Sequence, residues 1–501
     1  MALNLTSDII RCYKADLKVS FITVAFLQSF DSMAWEYSEY FGSRDYFMRI
    51  VIVGAGEVGY HVAKSLSTEG HDITVIEEDE ERALKVDNEL DVITIRGNGS
   101  RPSVLEEAGV VAGCSVDILV ACTNRDEVNI MACWIAKRTG VKRVISRARG
   151  LEYTDSPTWA RDLGIDVMSS PERSVSRQII ELLTVSSAVE TAELLEGVAG
   201  IYAFPIALKS PLAGASLKQL RVRYPHVTAI IVYVKRNGKG FVPYGDNVLQ
   251  EGDLCFTVIR KDQVWKLEEV FTGKKSTPLR RVFIIGGGKL GFQVAHRLES
   301  QYRNVDIHLI DHNKEKCERI ATELQRTLVL CGDGADETLL RQEGIEEVDG
   351  FVTATESDET NILLGVVGKA LGAKKTIAVV RKQMYMRLDN YISVDSMVNP
   401  NQALASVIMS NVRYPSGAGT LSLLDKVDAE MLEAHIPVGS PLSGLSLAEM
   451  NLPKGMLFAL VRRGKEVFVP IGDTILHEGD LVTIFASSEM MPLAVEKLGV
   501  K

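Results

Sequence analysis

Short apolar runs alternate with helix-period segments along most of the chain. Ile50 to Val53 is an unbroken β-branched run, the pattern of a strand buried on both faces of a parallel sheet. Val58, Val62 and Leu66 then recur at steps of four, which predicts one apolar face of a helix. A second run, Ile73 to Ile76, precedes a predicted helix over Arg82 to Glu89. Strands follow at Val92 to Ile95, Asp117 to Ala121, Lys142 to Arg149 and Ile165 to Met168. A helix opens at Asp126-Glu127-x-Asn129, and another runs from Pro171 to about Leu183. Strand and helix taken in turn predict an α/β, doubly wound parallel sheet of Rossmann type.

From about residue 195 the pattern changes. Strands shorten and turn residues crowd in: Pro211, Gly214, Asn237-Gly238, Pro243, Gly245 and Gly252. This predicts a small β-rich α+β module. A polar linker, Thr272 to Pro278, closes it, and then the pattern starts again. Gly286 lies 286 − 54 = 232 residues after Gly54, and Thr355 lies 355 − 123 = 232 after Thr123. Val467-Phe-Val-Pro-Ile-Gly-Asp473 repeats Gly240-Phe-Val-Pro-Tyr-Gly-Asp246, and Glu478-Gly-Asp480 repeats Glu251-Gly-Asp253. Such a repeat sets the architecture. The expected order is an α/β domain over 48–170, a connecting helix over 171–194 and a β-rich domain over 195–273. A second α/β domain over 274–400, a connecting helix over 401–430 and a β-rich domain over 431–501 follow. Residues 1–47 stand outside the repeat. Their apolar stretch Val19 to Phe30 is too short to span a bilayer, no signal-peptide pattern is present, and Met48 is a candidate start.

Chemistry concentrates at the first strand-to-helix turn. Gly54, Gly56 and Gly59 give G-x-G-x-x-G between strand and helix. The first glycine permits the tight turn, the second lets a pyrophosphate approach, and the third lets helix lie on strand. Phosphates then meet free N–H groups at the helix start, Gly54-Ala55-Gly56-Glu57-Val58. Glu77 lies 77 − 56 = 21 residues past Gly56, where a carboxylate holds a ribose hydroxyl. Four more acids follow it, Glu78 to Glu81, which disfavours a 2′-phosphate and so favours NAD over NADP. ATP and ADP carry the same ribose hydroxyls and stay open. The second copy has Gly286-Gly287-Gly288-Lys289-Leu290, with Asp311 in the place of Glu77. Glu57 points to solvent by its position, and Asn129 and Glu127 are read as helix caps ahead of ligand contacts.

The 501 residues carry a net charge of −10, which argues against a general nucleic-acid binder. Seven scattered cysteines without C-x-x-C fit a reducing cytoplasm. His308 and His312 straddle a strand end, and no metal pattern is expected. His226 and His435 fall at different places in the two β-rich modules, so no paired catalytic acid or base is expected either.

The order of domains, with Val53-Gly-Ala-Gly-Glu-Val-Gly59, Gly97-Asn-Gly-Ser100, Thr123-Asn-x-Asp-Glu-x-Asn129 and the twice-written Phe-Val-Pro-x-Gly-Asp…Glu-Gly-Asp, resembles the Trk potassium-uptake regulatory family. That family joins two regulator-of-potassium-conductance (RCK) N-domains and two RCK C-domains in one chain. The resemblance implies a non-enzymatic regulatory subunit. It would be cytoplasmic, a ring-like homo-oligomer held at the inner face of the membrane by a Trk-type potassium channel or transporter subunit. It further implies NAD or NADH as ligand, with ATP and ADP alongside. Asn98, Gly99, Thr123 and Arg147 would join the first site, Gly286 to Leu290 and Asp311 the second. Val379 stands where the first half has Arg147, and Asp333 where it has Asn98. The second site is therefore expected to bind more weakly, and Val379→Arg to strengthen it. An NAD-dependent oxidoreductase and a free-standing nucleotide sensor are the alternative functions.

Overall fold

In the computed structural model the described residues run from 47 to 498, with short breaks at 114, 151–152, 154–156, 209, 274, 389–390, 414–418, 424–428, 451, 454 and 488. The sequence features expected within 1–46 lie outside the described residues. The first α/β domain has strands β1 (Arg49–Val53), β2 (Asp72–Glu77), β3 (Ile93–Arg96), β4 (Ile118–Ala121), β5 (Arg143–Arg147) and β6 (Val167–Ser169). They form one parallel sheet in the order β3-β2-β1-β4-β5-β6. The order reverses between β1 and β4, so a crevice opens there at the strands' carboxyl ends.

A first β-rich module follows: β7 (Glu190–Leu194), β8 (Ala199–Pro205), β9 (Ala229–Arg236), β10 (Lys239–Phe241) and β11 (Leu254–Arg260), antiparallel in the order β10-β9-β11-β8-β7. The second α/β domain repeats the first with β12 (Arg281–Ile285), β13 (Asp306–Asp311), β14 (Leu328–Cys331), β15 (Gly350–Thr353), β16 (Lys375–Val379) and β17 (Ser396–Val398). The second module has β18 (Gly419–Leu423), β19 (Ala429–His435), β20 (Met456–Arg463), β21 (Glu466–Phe468) and β22 (Leu481–Ser487), in the same topology as the first.

Two expectations shift. Each β-rich module starts one strand earlier than 195 and 431, because β7 and β18 pair antiparallel with β8 and β19. The strand expected to reach Arg149 stops at Arg147: the N–H groups of Arg149 and Gly150 turn away to the Asp126 carboxylate at 2.9–3.0 Å. His308 is buried against Phe283, and His312 is exposed.

Packing does not follow chain order. The helix Pro171–Thr184 lies on Lys289–Gln301, the helix that leaves the second glycine turn. The helix Pro400–Arg413 lies on Glu57–Thr68, the helix that leaves the first. Leu404, Ile408, Met409 and Val412 thus complete the core under Ile50, Val58, Val62 and Leu66, and this core runs on into the second module through Leu432, Phe458 and Ile484. Val175, Ile179 and Leu182 do the same for Val282, Ile284, Val294 and Leu298, continuous with Phe204 and Phe271 of the first module. At roughly 1.5–3 kcal/mol per buried aliphatic or aromatic side chain, each α/β domain draws stabilisation from the other half's helix. The modules meet through Val232, Tyr233 and Phe256 against Met431, Leu460 and Phe485.

The Glu-Gly-Asp mark proves structural. Asp253 is fully buried and receives Arg236 Nε and Nη2 at 2.6 and 2.7 Å, while Asp480 receives Arg463 at 2.9 and 2.7 Å. Each pair ties one hairpin strand to the turn before the next.

Candidate functional site

The two glycine turns open onto one shared cavity of about 660 Å³. The first half lines it with Gly54, Ala55, Gly56, Glu57, Val58, Glu77, Asn98, Gly99, Thr123 and Arg147. From the second half come Gly288, Lys289 and Leu290 with Glu356, Asp358, Arg381 and Lys382. Gly286, Gly287 and Asp311 lie behind that wall and do not line the cavity. Asp333 is outside it too, exposed and bonded to the Ala335 N–H at 2.9 Å, so it cannot be the anion that weakens the second site.

Each glycine has a physical reason. Gly54 holds φ +103° and Gly286 φ +105°, a region that L side chains rarely adopt. A Cβ on Gly59 would sit 1.8 Å from the Gly54 carbonyl oxygen, and one on Gly291 would sit 1.9 Å from that of Gly286. A Cβ on Gly56 or Gly288 would meet nothing within 4 Å, because these residues face open space. Gly56 and Gly288 are also the cap residues of the turn helices, and no side chain caps either helix. The first-turn N–H groups are left for a ligand.

The carboxylates differ. Glu77 is buried, with Oε2 accepting from the Ala55 N–H at 2.5 Å and Oε1 from the Asp79 N–H at 2.9 Å. Asp311 accepts likewise from Gly287 at 2.7 Å and Asn313 at 2.9 Å, and additionally from Lys316 Nζ at 3.0 Å. Burial alone would raise the Asp311 pKa. The two N–H bonds and Lys316 overcome it and hold the carboxyl below the ordinary aspartate range.

Asn129 does not cap its helix. Fully buried, it accepts from the Thr123 N–H (2.9 Å) and hydroxyl (2.7 Å) and donates to the carbonyls of Thr123 and Arg147, both at 3.1 Å. It staples the ends of β4 and β5 that carry the site. Asn361 does the same with Thr355 and Val379. Thr123 thereby spends its hydroxyl inside the frame. Asn98 is also held internally, accepting from Ser100 N–H and hydroxyl at 2.9 and 2.7 Å. Glu57 is half exposed and 3.9 Å from His61.

Arg147 is 14% exposed, and its Nη2 lies 3.8 Å from Glu172 Oε1. Arg149 Nε takes that same oxygen at 2.9 Å. Among the described residues Arg147 Nε and Glu172 Oε2 have no hydrogen-bond partner. Burial pushes Arg147 below the usual arginine range, Glu172 opposes this, and the Arg149 charge adds to it. A buried guanidinium so weakly paired fits an anionic ligand in the cavity. In the second half Val379 is fully buried and Asn401 stands at the Glu172 position, its Nδ2 on the Arg381 carbonyl at 3.2 Å. Cation and counter-ion are lost together, which avoids a lone buried charge. The sequence points to Arg147 but not to Glu172: Pro171-Glu172 marks a helix start, and its proximity to Arg147 is long-range.

The fold is that of paired RCK domains. The chain superposes on the crystal structure of the GsuK RCK domain with a TM-score of 0.58 at 19% identity, covering 92% of this chain and 96% of that one. The GsuK channel bound to NAD gives 0.58 at 19%, covering 92% and 80%. The TrkA-N domain family matches residues 50–171 and 282–400, and the TrkA-C domain family matches 431–499. Trk system potassium uptake protein TrkA homolog 1 of Methanosarcina mazei is 36% identical over 447 residues, 88% of this chain and 97% of that protein. TrkA of Azorhizobium caulinodans is 34% identical over 448 residues, 88% and 96%. The chain belongs to the TrkA family.

Proposed function

We propose that this chain is the nucleotide-responsive regulatory subunit of a Trk-type potassium uptake system, acting on a separate membrane-embedded subunit. The family and the names of its members support the transport role. The single observation that carries the nucleotide reading is the cavity itself: two uncapped helix starts and the weakly paired, buried Arg147 converge on it. The group it fits is an adenine nucleotide, NAD(H) first and ATP or ADP alongside. Gly54 to Val58 would take the phosphates, Glu77 the ribose, and Asn98, Gly99, Thr123 and Arg147 the surrounding wall. A neighbour of the same fold is a channel solved with NAD bound, which supports this ligand class.

The chain's own part is mechanical. A ligand in a cavity walled by both halves favours one spacing of the two α/β domains over another. The connecting helices, each packed on the opposite half, carry that difference to the β-rich modules. The ligand can shift the transporter only by its differential affinity for the two arrangements, typically ~1–3 kcal/mol. Assembly into a ring on the inner face of the membrane would sum such shifts. Among the described residues no helix is long and apolar enough to cross a membrane. The cavity lining includes no histidine, and we expect no hydride transfer. In cells, deletion should impair growth at low external potassium, and Gly56→Asp should reproduce the defect with thermal unfolding unchanged. Normal uptake in the deletion strain, with no membrane subunit co-purifying, would leave only a free-standing sensor.

A further inference from the structure

We propose that Cys317 and Cys331 form a redox-sensitive dithiol that governs the second glycine turn. Across the parallel pair β13/β14 the register sets Asp311 opposite Cys331. Cys317 lies in the first turn of the helix Lys314–Glu323, and its thiol donates to the Asp311 carbonyl at 3.2 Å and reaches the Leu330 carbonyl at 3.7 Å. The Cys331 thiol is 4.0 Å from the His312 carbonyl. The two thiols therefore share one strand end, directly under the carboxylate that holds the Gly287 N–H. One is buried and the other exposed, an arrangement that suits an attacking and a resolving thiol. Burial first, and then the neighbouring Cys331, push Cys317 up to about 11, so it waits as a thiol. The first half has no counterpart: Ala83 takes the place of Cys317, and Arg96, paired with Glu80 at 3.0 Å, takes that of Cys331.

The oxidant class is a peroxide. The Cys331 sulfur attacks one peroxide oxygen, the O–O bond breaks, water leaves, and Cys331 becomes a sulfenic acid. Cys317 sulfur then attacks the Cys331 sulfur, an S–S bond forms and the S–O bond breaks. The departing hydroxide takes the Cys317 proton as a second water. Two thiols are oxidised, and one hydrogen peroxide is reduced to two waters. The new bond removes the S–H donor from the Asp311 carbonyl and draws in the helix turn that carries Lys316, the cation on Asp311.

The test treats the full chain with hydrogen peroxide and maps peptides by mass. The expected product is a Cys317–Cys331 cross-linked peptide two hydrogens lighter than the free pair, lost in Cys317→Ser and in Cys331→Ser, with Cys317→Ser retaining a dimedone-reactive Cys331. Amide hydrogen exchange at 287–290 should then speed up several-fold in the cross-linked wild type and return with dithiothreitol, while 55–58 stays unchanged. Dimedone labelling of Cys331 in the wild type without any cross-link would overturn the dithiol. A cross-link that leaves exchange at 287–290 unaltered would overturn its control of the turn. The control of nucleotide affinity rests on the proposed second site: NADH titration before and after oxidation should show only the weaker binding event lost, and unchanged binding at both sites contradicts it.

Discussion

The two glycine-turn sites of this chain share a frame and differ in their charges. In both, a third glycine lets the turn helix touch the turn's own carbonyl, a buried asparagine staples two strand ends, and a buried aspartate gathers the next loop's N–H groups (Asp126 and Asp358). These groups are engaged in hydrogen bonds or close packing within the frame. What changes is the charge around each turn: Arg147 with Glu172 against Val379 with Asn401, Glu77 with no cation among the described residues against Asp311 with Lys316, and Glu57 against Lys289. The first group of residues is spent on the fold, and on the proposed reading the second group would set what each turn binds.

The largest effects should come from breaking the shared frame, and they should be equal in the two halves. Gly59→Ala forces a Cβ to within 1.8 Å of a carbonyl oxygen and should cost about 3 kcal/mol or more by thermal or denaturant unfolding. Gly291→Ala should cost the same, whereas Gly56→Ala, which meets open space, should stay within about 0.5 kcal/mol. Asn129→Ala and Asn361→Ala each strand buried N–H and C=O groups, at about 1–3 kcal/mol per group left unpaired. A large inequality between these two would break the idea of a common frame.

Next come the charges. Arg147→Met should weaken the tighter nucleotide event by about 1.5–3 kcal/mol, the scale of a hydrogen bond to a charged group, and spare the other. Glu77→Ala should weaken it by about 1–3 kcal/mol, with NADPH bound worse than NADH throughout. Val379→Arg by itself should not strengthen the second site, contrary to the expectation from the sequence, because the new guanidinium would be fully buried without a carboxylate. Val379→Arg with Asn401→Glu should. Calorimetry on the single and double variants decides this.

The smallest effect concerns acid. Asp311 is held below the ordinary aspartate range, so its contribution to stability is present above the unfolded aspartate pKa and is lost as pH falls through the lower folded value. Lys316→Met removes one of the groups holding it down and should move that loss to higher pH, seen as an earlier onset of acid unfolding in the second half by hydrogen exchange.

Much of the frame was legible in the chain. Ile50 to Val53 read as a strand buried on both faces, and the 232-residue offset announced the duplication. The exchange of connecting helices was not legible. Val175, Ile179 and Leu182 reveal an apolar face, but periodicity does not say which body covers it, and the cover lies on Lys289–Gln301. Asn129 shows the same limit at the scale of one side chain. Three residues into a helix it could bend back to the helix's own N–H groups or reach across to a strand, and only the neighbouring strand's carbonyl at Arg147 decides. Glu172 was missed because its partner Arg147 is distant in sequence and on another element.

One frame, written twice, is expected to carry two unequal nucleotide sites because the charges around its two turns differ. Calorimetric titration of the full chain with NADH tests it most directly. Two distinguishable binding events per chain are expected, the tighter one lost in Arg147→Met and the weaker one kept. Two identical events, or a loss of both in Arg147→Met with the protein still folded, would contradict it.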